Sequence, residues 1–413
     1  MTTIGIVGAG IAGLHLALHL QRNGISVTLY TDRTPDEMRA ARLPATSGFT
    51  GVSRLRDAAL GVDHWDEPEN HTAQARFRIA SDLPLGFTSK VPLPGLYIDM
   101  RLYLPRAMED FAARGGEIVI APCRPEDVGR LAGRHALVIV ATGRGGLSEM
   151  FPRMPEWSPY DAPQRRLLGG LFRGIQLPRP FEFGFNIVPG AGEIFELQMI
   201  TRHGPTPALL VEAIPGGPLE PLTHLRYEDD PAAFSRALLA ALREHVPDTY
   251  ARIDPAEFAP TGPLDVLTGA VVPTARRAFI PLDDGRFAMA LGDAHVAFDP
   301  ITGQGANTAS RSAWRMGELV TEHARAGKPF DEAFCKQAEE QLWSAARAAC
   351  AWTNAALQPP PPHVIGLFFA ASQSQAIADA FTNNFLYPDR QWEVLRSPEA
   401  TEAFLAGATA LAA

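Results

Sequence analysis

Cysteine is scarce in this chain of 413 residues: Cys123, Cys335 and Cys350 lie far apart, with no Cys-x-x-Cys spacing. Thiolate zinc sites and disulfide frameworks are therefore not indicated, and a reducing, cytoplasmic setting is expected. Concentrated positive charge is missing as well. The formal net charge is −9 and no basic run occurs, so the chain carries no electrostatic footprint for nucleic acid or an anionic membrane. Long hydrophobic runs are absent, and Val364 to Ala371 falls far short of a membrane span. The apolar N-terminus lacks the basic leading segment of a secretory signal. No Gly-x-Ser-x-Gly elbow, Ser/His/Asp arrangement or paired carboxylates are visible, so hydrolytic chemistry has no carrier. No metal site is expected, and no internal repeat is found.

What is there is a composition of 46% hydrophobic and 20% charged residues, ordinary for a globular protein, over a length that suggests two to three structural domains. The most informative segment comes first. Ile4-Gly5-Ile6-Val7-Gly8-Ala9-Gly10-Ile11-Ala12-Gly13 reads as a strand running into a phosphate-binding glycine turn. Gly8 allows the tight turn, Gly10 lets the backbone approach a pyrophosphate, and Gly13 lets the next helix pack closely on the sheet. The amides opening that helix, at Ile11 and Ala12, then face the anion. Leu14 to Leu20 continues as a helix ending at Asn23-Gly24, and Ile25 to Tyr30 supplies a second strand. This βαβ context turns a common glycine triplet into the expectation of a dinucleotide cofactor.

Downstream, Thr31 to Gly95 reads as a long irregular stretch rich in Pro, Gly, Asp and Arg, of the kind that carries function. Arg101 to Arg114 is expected as a helix with Leu102, Leu104, Met108 and Phe111 on its apolar stripe, stopped by Gly115-Gly116. Glu117 to Ile120 reads as a short strand. Ala136 to Ala141 reads as a buried one, running into Thr142-Gly143. From Leu167 to Val211 the alternation predicts antiparallel strands with one covered face, and a helix is expected near Pro231 to His245. Ala278 to Leu291 reads as a hairpin closed by Asp284-Gly285. From Asn307 onward the chain is mostly helical, interrupted by Pro359 to Pro362.

A second signal stands at Gly292-Asp293, followed by Asp299-Pro300-Ile301-Thr302-Gly303-Gln304-Gly305-Ala306-Asn307. This is a strand delivering a carboxylate, a proline-stiffened loop, then two glycines opening a helix. Asp293 can accept from a polyol hydroxyl, while Gly303, Gly305, Ala306 and Asn307 present amides to a ring edge. With Asp293 as a mere turn residue and the glycines as loop punctuation, the same segment would carry no function.

The glycine loop, Val140-Ala141-Thr142-Gly143 and the Gly-Asp segment with its Pro-x-x-Gly-x-Gly-x-Asn tail, in this order, resemble FAD-dependent aromatic monooxygenases of the hydroxybenzoate hydroxylase fold. Over essentially the whole chain the resemblance is to the oxygenase component of styrene and indole monooxygenases. Tyr30-Thr31-Asp32-Arg33, Arg101-Leu102-Tyr103, Gly269 to Pro273 and Asn384 to Trp392 all look like that family. The resemblance implies an α/β fold: a Rossmann-like FAD-binding domain (1–44, 96–166 and 265–320), an inserted, mainly antiparallel β-sheet substrate domain (45–95 and 167–264), and a helical C-terminal region (321–413). It implies a two-component system. A separate NADH-dependent flavin reductase supplies reduced FAD, which with O2 forms a flavin C4a-hydroperoxide that epoxidises an aryl alkene or indole. Such chemistry needs a dry pocket and an oriented alkene rather than a protein base. The stretch after Gly143 has no second Asp-Gly and no trailing Arg, so no nicotinamide site is evident. A homodimer is compatible with the sequence, which does not decide the oligomeric state.

Several positions depart from the family pattern. The acid that usually ends the second strand is replaced by Thr31, with Asp32 one residue later to hold the ribose and Arg33 to face the adenosine phosphates. Arg42 and Arg101 match flavin-contacting arginines of the family. Pro300, Thr302, Gly303 and Thr46 are expected to line the flavin face and pocket, with Ala45, Ser47 and Phe49 against the substrate. Ala45 to Phe49, together with Thr72, Ala75 and Gly95, match neither the styrene-type nor the indole-type pattern. Most are smaller, which predicts room for a bulkier aromatic or an aryl sulfide unless Phe49 swings inward. A flavin-dependent halogenase would need a Trp-x-Trp-x-Ile-Pro segment and an active-site lysine. Here Trp157 leads into Ser158-Pro159, and Lys90 has an unrelated context. A non-catalytic flavin-binding protein is the remaining alternative.

Overall fold

The computed structural model describes residues 3–80 and 85–410; positions 1–2, 81–84 and 411–413, which the expected domain boundaries include, lie outside the described residues. The βαβ opening folds as its glycines require. Thr3–Val7 is the centre of a six-stranded sheet ordered Phe279–Pro281, Phe287–Ala290, Leu137–Val140, Thr3–Val7, Ser26–Thr31, Glu117–Ile120. All pairs are parallel except the outer hairpin, in which Phe279 faces Met289 across the Asp284-Gly285 turn. Asp284 there takes the left-handed conformation, with φ 61°. The helix Ile11–Arg22 is buried from Ala12 to Leu20 between this sheet and the long helix Gln304–Arg325. Gly317 permits that approach, since a Cβ there would stand 2.3 Å from the His19 ring.

The second sheet has nine strands, ordered Ala259–Pro260, Arg166–Arg173, Gly204–Ala213, Gly192–Thr201, Phe181–Val188, Thr72–Ile79, Leu85–Tyr97, Gly48–Phe49, with Val266–Ala270 also on Arg166–Arg173. Its two sequence-distant parts join through a parallel pair, Thr72–Ile79 on Phe181–Val188, while the other pairs are antiparallel. The helix Pro231–His245 packs Phe234, Leu238 and Leu242 against one end of it.

Three expectations need correction. The stretch Thr31 to Gly95 is not irregular; it contains the helices Pro35–Ala40 and Gly51–Leu60 and two long strands. Its prolines hid the second strand. Pro92 and Pro94 fall between the paired residues Lys90 and Gly95, where the ladder is broken by a bulge, so their missing N–H groups interrupt nothing. The boundary at 265 falls too early, because Val266–Ala270 extends the larger sheet. The sheet also has no solvated face along Gly192–Thr201, where all ten residues are buried. Several polar residues on that side are paired internally, Arg76 bonding Glu182 (2.7 Å) and Asn186 (3.1 Å), while the buried Gln198 amide meets no partner. The C-terminal region is helical as expected, and its helices divide between the two sheets. Glu332–Ala356 packs into the nucleotide-side core through Phe334, Ala338 and Leu342, while Pro362–Gln373 and Gln375–Asn384 cover Phe77 and Phe87 of the larger sheet.

Candidate functional site

A cleft of about 640 Å³ opens at the carboxyl end of Thr3–Val7, where the topology leaves room for a ligand. Gly8 turns the chain at φ 113°, and a Cβ there would stand 2.4 Å from the Ala141 carbonyl oxygen. Gly13 sits against this turn, its own Cβ position 1.9 Å from the Gly8 oxygen; it joins helix to strand and does not border the cleft. Gly10 has no atom within 4 Å of where a Cβ would lie. As helix N-cap it offers no side-chain hydrogen bond, so the first-turn amides are left for an anion.

Gly8, Gly10, Ile11 and Ala12 border the cleft on this side, and Ala141, Thr142 and Gly143 on the other. Thr31, Asp32 and Arg33 form its far rim, with the Asp32 and Arg33 side chains half exposed and 3.7 Å apart. Arg101 borders the cleft too, but its guanidinium is held by Asp99 (2.6 Å) and Asp265 (2.7 Å). Arg42, expected at the flavin, borders neither recess. It donates to the carbonyls of Pro263 (2.8 Å) and Val266 (3.0 Å) and pairs with Glu228, tying the larger sheet to the nucleotide side.

Next to the cleft lies an apolar cavity of about 290 Å³. Phe183, Phe185, Phe195, Leu197 and Leu210 line it from the sheet, and Phe385 and Leu386 from the C-terminal helices. The opposite wall is Ala45, Thr46, Ser47 and Phe49 together with Pro300, Thr302 and Gly303; Thr72, Ala75 and Gly95 also border it. Phe49 does not refill the space. It is 2% exposed, and its ring packs 5.0 Å from Tyr103 and 6.1 Å from His15 in the nucleotide-side core. The Thr302 hydroxyl is bonded to Thr353 at 2.6 Å.

Asn307 borders the cavity and acts as a staple. Its Oδ1 accepts from the Thr50 amide (2.9 Å) and the Ser53 hydroxyl (2.7 Å), and its Nδ2 donates to the carbonyls of Gly303 (2.9 Å) and Gly48 (3.2 Å). Gly303, at φ 64°, caps the helix Gln304–Arg325 with no side-chain partner, leaving its first amides open.

Pro44, Ser47, Arg144, Asp293, Gly305 and Ala306 border both recesses, so cleft and cavity share one wall. Burial holds the Asp293 carboxyl above its ordinary value, opposed by Arg144, whose Nε is 3.9 Å away. His295 borders neither recess. It is 2% exposed and burial lowers its pKa to about 4, so it is a neutral core residue near neutral pH.

A family model described as "Styrene monooxygenase A putative substrate binding domain" matches residues 143–252. Styrene monooxygenase StyA of Pseudomonas fluorescens is 38% identical over 400 residues, covering 96% of this chain and 95% of the relative, and StyA of a Pseudomonas sp. matches to the same extent. The chain belongs to the styrene monooxygenase family. Among solved structures, a flavoprotein/dehydrogenase from Cytophaga hutchinsonii aligns with a TM-score of 0.66 at 13% identity, covering 96% of this chain and all of that one. The flavin-dependent brominase Bmp2 aligns at 0.63 and 15% identity, covering 98% and 94%. Such low identities speak for the fold alone.

In this member of the styrene monooxygenase family the match at 143–252 takes in the cavity-lining Phe183, Phe185, Phe195, Leu197 and Leu210. Sequence reasoning missed them as site residues. Their signal was parity, Phe183 and Phe185 sharing one face of an alternating strand, but alternation does not say what that face meets. Arg144 was missed for its position, since nothing local places it against Asp293. Lys90, weighed as a halogenase lysine, is exposed and borders neither recess. No helix among the described residues is long and apolar enough to cross a membrane.

Proposed function

We propose that this chain is a cytoplasmic oxygenase component that assembles as a homodimer. It takes reduced FAD from a separate NADH-dependent flavin reductase and uses O2 to epoxidise styrene-like aryl alkenes or indoles, with bulkier aromatics and aryl sulfides in range. The observation that carries the reading is the shared wall: a polar, glycine-built cleft runs into a cavity lined by aromatic rings. The residues fit FAD. The open side of Gly10 and the uncapped first turn of Ile11–Arg22 suit a pyrophosphate, Asp32 and Arg33 the adenosine half, and Asp293 a ribityl hydroxyl. The open amides after Gly303 suit the edge of the flavin ring.

Bound reduced FAD supplies the activation of O2 for transfer of a single oxygen atom. The chain binds, orients and excludes water. Phe183, Phe185 and Phe195 hold an aromatic substrate in a fixed pose, while Pro300, Thr302, Gly303 and Thr46 form the wall between it and the cofactor. An electron-rich double bond needs no protein base, which agrees with a neutral, buried His295. The small residues at Ala45, Ser47, Ala75 and Gly95, with Phe49 turned into the core, leave volume for a substituted ring. With no covalent attachment, FAD is expected to be lost on dialysis.

The test combines the purified chain, a generic flavin reductase, NADH, FAD and air with panels of aryl alkenes, indoles and thioethers. Mass spectrometry is expected to find singly oxygenated products. No product from any panel member overturns the reading.

A further inference from the structure

Asp299, at the edge of the apolar cavity, belongs to a buried acidic cluster. Glu212 and Asp299 are both 0% exposed, and their carboxyl groups are within hydrogen-bonding reach of each other. Glu212 stands on Gly204–Ala213, opposite Glu193 of Gly192–Thr201 and Leu167 of Arg166–Arg173. The charged groups facing it are Glu193, Asp299 and Arg165, the residue just before Arg166–Arg173. Arg165 is committed elsewhere. It grips Glu193 with two hydrogen bonds (2.6 and 2.9 Å) and donates to the carbonyls of Gln164 (2.9 Å) and Leu357 (3.4 Å).

Both Glu212 oxygens and Asp299 Oδ2 are shut off from solvent and meet no N–H or hydroxyl donor. The other Asp299 oxygen accepts from the Ile301 amide at 3.1 Å and caps the turn Pro300–Thr302. Burial raises both carboxyls, Asp299 to about 6 and Glu212 well above its ordinary value; the charges of Asp299 and Glu193 push Glu212 further up, while the hydrogen bonds from Glu212 and the Ile301 amide hold Asp299 down. Two touching carboxylates without a cation of their own cannot both stay ionised, and one proton between them supplies the donor that the orphaned oxygens lack.

We infer that Glu212 is a positioning residue: as a carboxylic acid it donates to Asp299, keeping Asp299 the acceptor that fixes the Ile301 amide and, through it, the Pro300–Gly303 wall. This rests on the reading above, in which that wall meets FAD and the aromatic substrate.

The test uses the full chain. Infrared difference spectroscopy at mildly alkaline pH is expected to show the C=O stretch of a buried carboxylic acid in the natural sequence and not in Glu212→Gln. The glutamine amide still donates, so oxidised FAD should bind within about threefold of the unaltered chain, whereas Glu212→Leu weakens binding roughly tenfold. Affinity for FAD should also fall as pH drops through about 6, and Asp299→Asn should remove that step. Absence of the acid band, or equal behaviour of the Gln and Leu variants, overturns the inference. Should Glu212→Leu not fold, the band and the Asp299→Asn profile decide. A failed oxygenation assay with the band present sinks the proposed function alone; normal turnover without the band sinks this inference alone.

Discussion

The cleft and the cavity differ in what their walls are made of. Cleft walls are largely backbone: the Gly8 turn, the uncapped helix start after Gly10 and the Ala141–Gly143 segment. Cavity walls are side chains brought from the middle and the end of the chain, Phe183, Phe195 and Phe385 among them. A backbone wall tolerates almost no added atom where it is closed and responds to every added atom where it is open to ligand. A side-chain wall responds in proportion to volume, because neighbouring rings can partly relax into a vacated space.

The sharpest break of this comparison is at Gly13. Gly13→Val forces a Cβ to within 1.9 Å of the Gly8 oxygen, and a loss of more than about 4 kcal/mol is expected, read as a loss of cooperative thermal unfolding. Its counterpart is Gly10→Ala, whose methyl meets nothing. That variant should melt within about 2 °C of the unaltered chain yet bind FAD at least tenfold more weakly by fluorescence titration. Equal loss of stability in both would erase the distinction between closed and open backbone.

Next in size is Phe195→Ala. The ring is 4% exposed and stacks 4.7 Å from Phe185, so about 3 kcal/mol of stability should be lost in a denaturant titration. The variant that folds should shift kcat/KM from styrene toward bulkier aryl alkenes.

An effect of similar total size, but one that appears only gradually as pH falls, tests the segment joining the two recesses. His295 is held neutral with a pKa lowered to about 4, against 6.5 when unfolded. The unfolded chain therefore takes up a proton that the folded chain refuses. Stability from this residue is complete above about pH 6.5 and is lost as pH falls toward 4, by up to about 1.4 kcal/mol per pH unit. His295→Asn should flatten the dependence of unfolding free energy on pH by that amount; an unchanged slope would place a charge on the buried ring.

The smallest effect is expected at the rim. Asp32→Asn alters a half-exposed carboxylate, so FAD affinity should fall by only about threefold, with the melting temperature unmoved. A far larger loss would mean that Asp32 closes over the ligand.

The same contrast explains which parts of the molecule were legible beforehand. The glycine turn, the helix Ile11–Arg22, the strand Leu137–Val140 and the Asp284-Gly285 hairpin could all be read, because each is specified within a few neighbouring residues. The strand Leu85–Tyr97 was hidden by prolines whose harmlessness depends on a bulge in that same strand, where residues 91–94 oppose a single residue of the partner. Arg42 was misplaced because its partners, Glu228 and the carbonyls of Pro263 and Val266, are distant in sequence. Paired carboxylates were not visible at all, since Glu212 and Asp299 become neighbours only when the larger sheet meets the Pro300 loop.

Local sequence by itself determined a nucleotide-binding α/β half with an anion-ready helix start, since glycine spacing acts through steric limits on adjacent peptide units. Its second polar segment, Gly292 to Asn307, was set in the same way. Only the tertiary structure decided that these segments share a wall with an aromatic cavity, that Phe49 points into the core, and that Asp299 has a carboxyl partner. Those outcomes depend on long-range packing and on electrostatics between groups far apart in the chain, which no local pattern encodes.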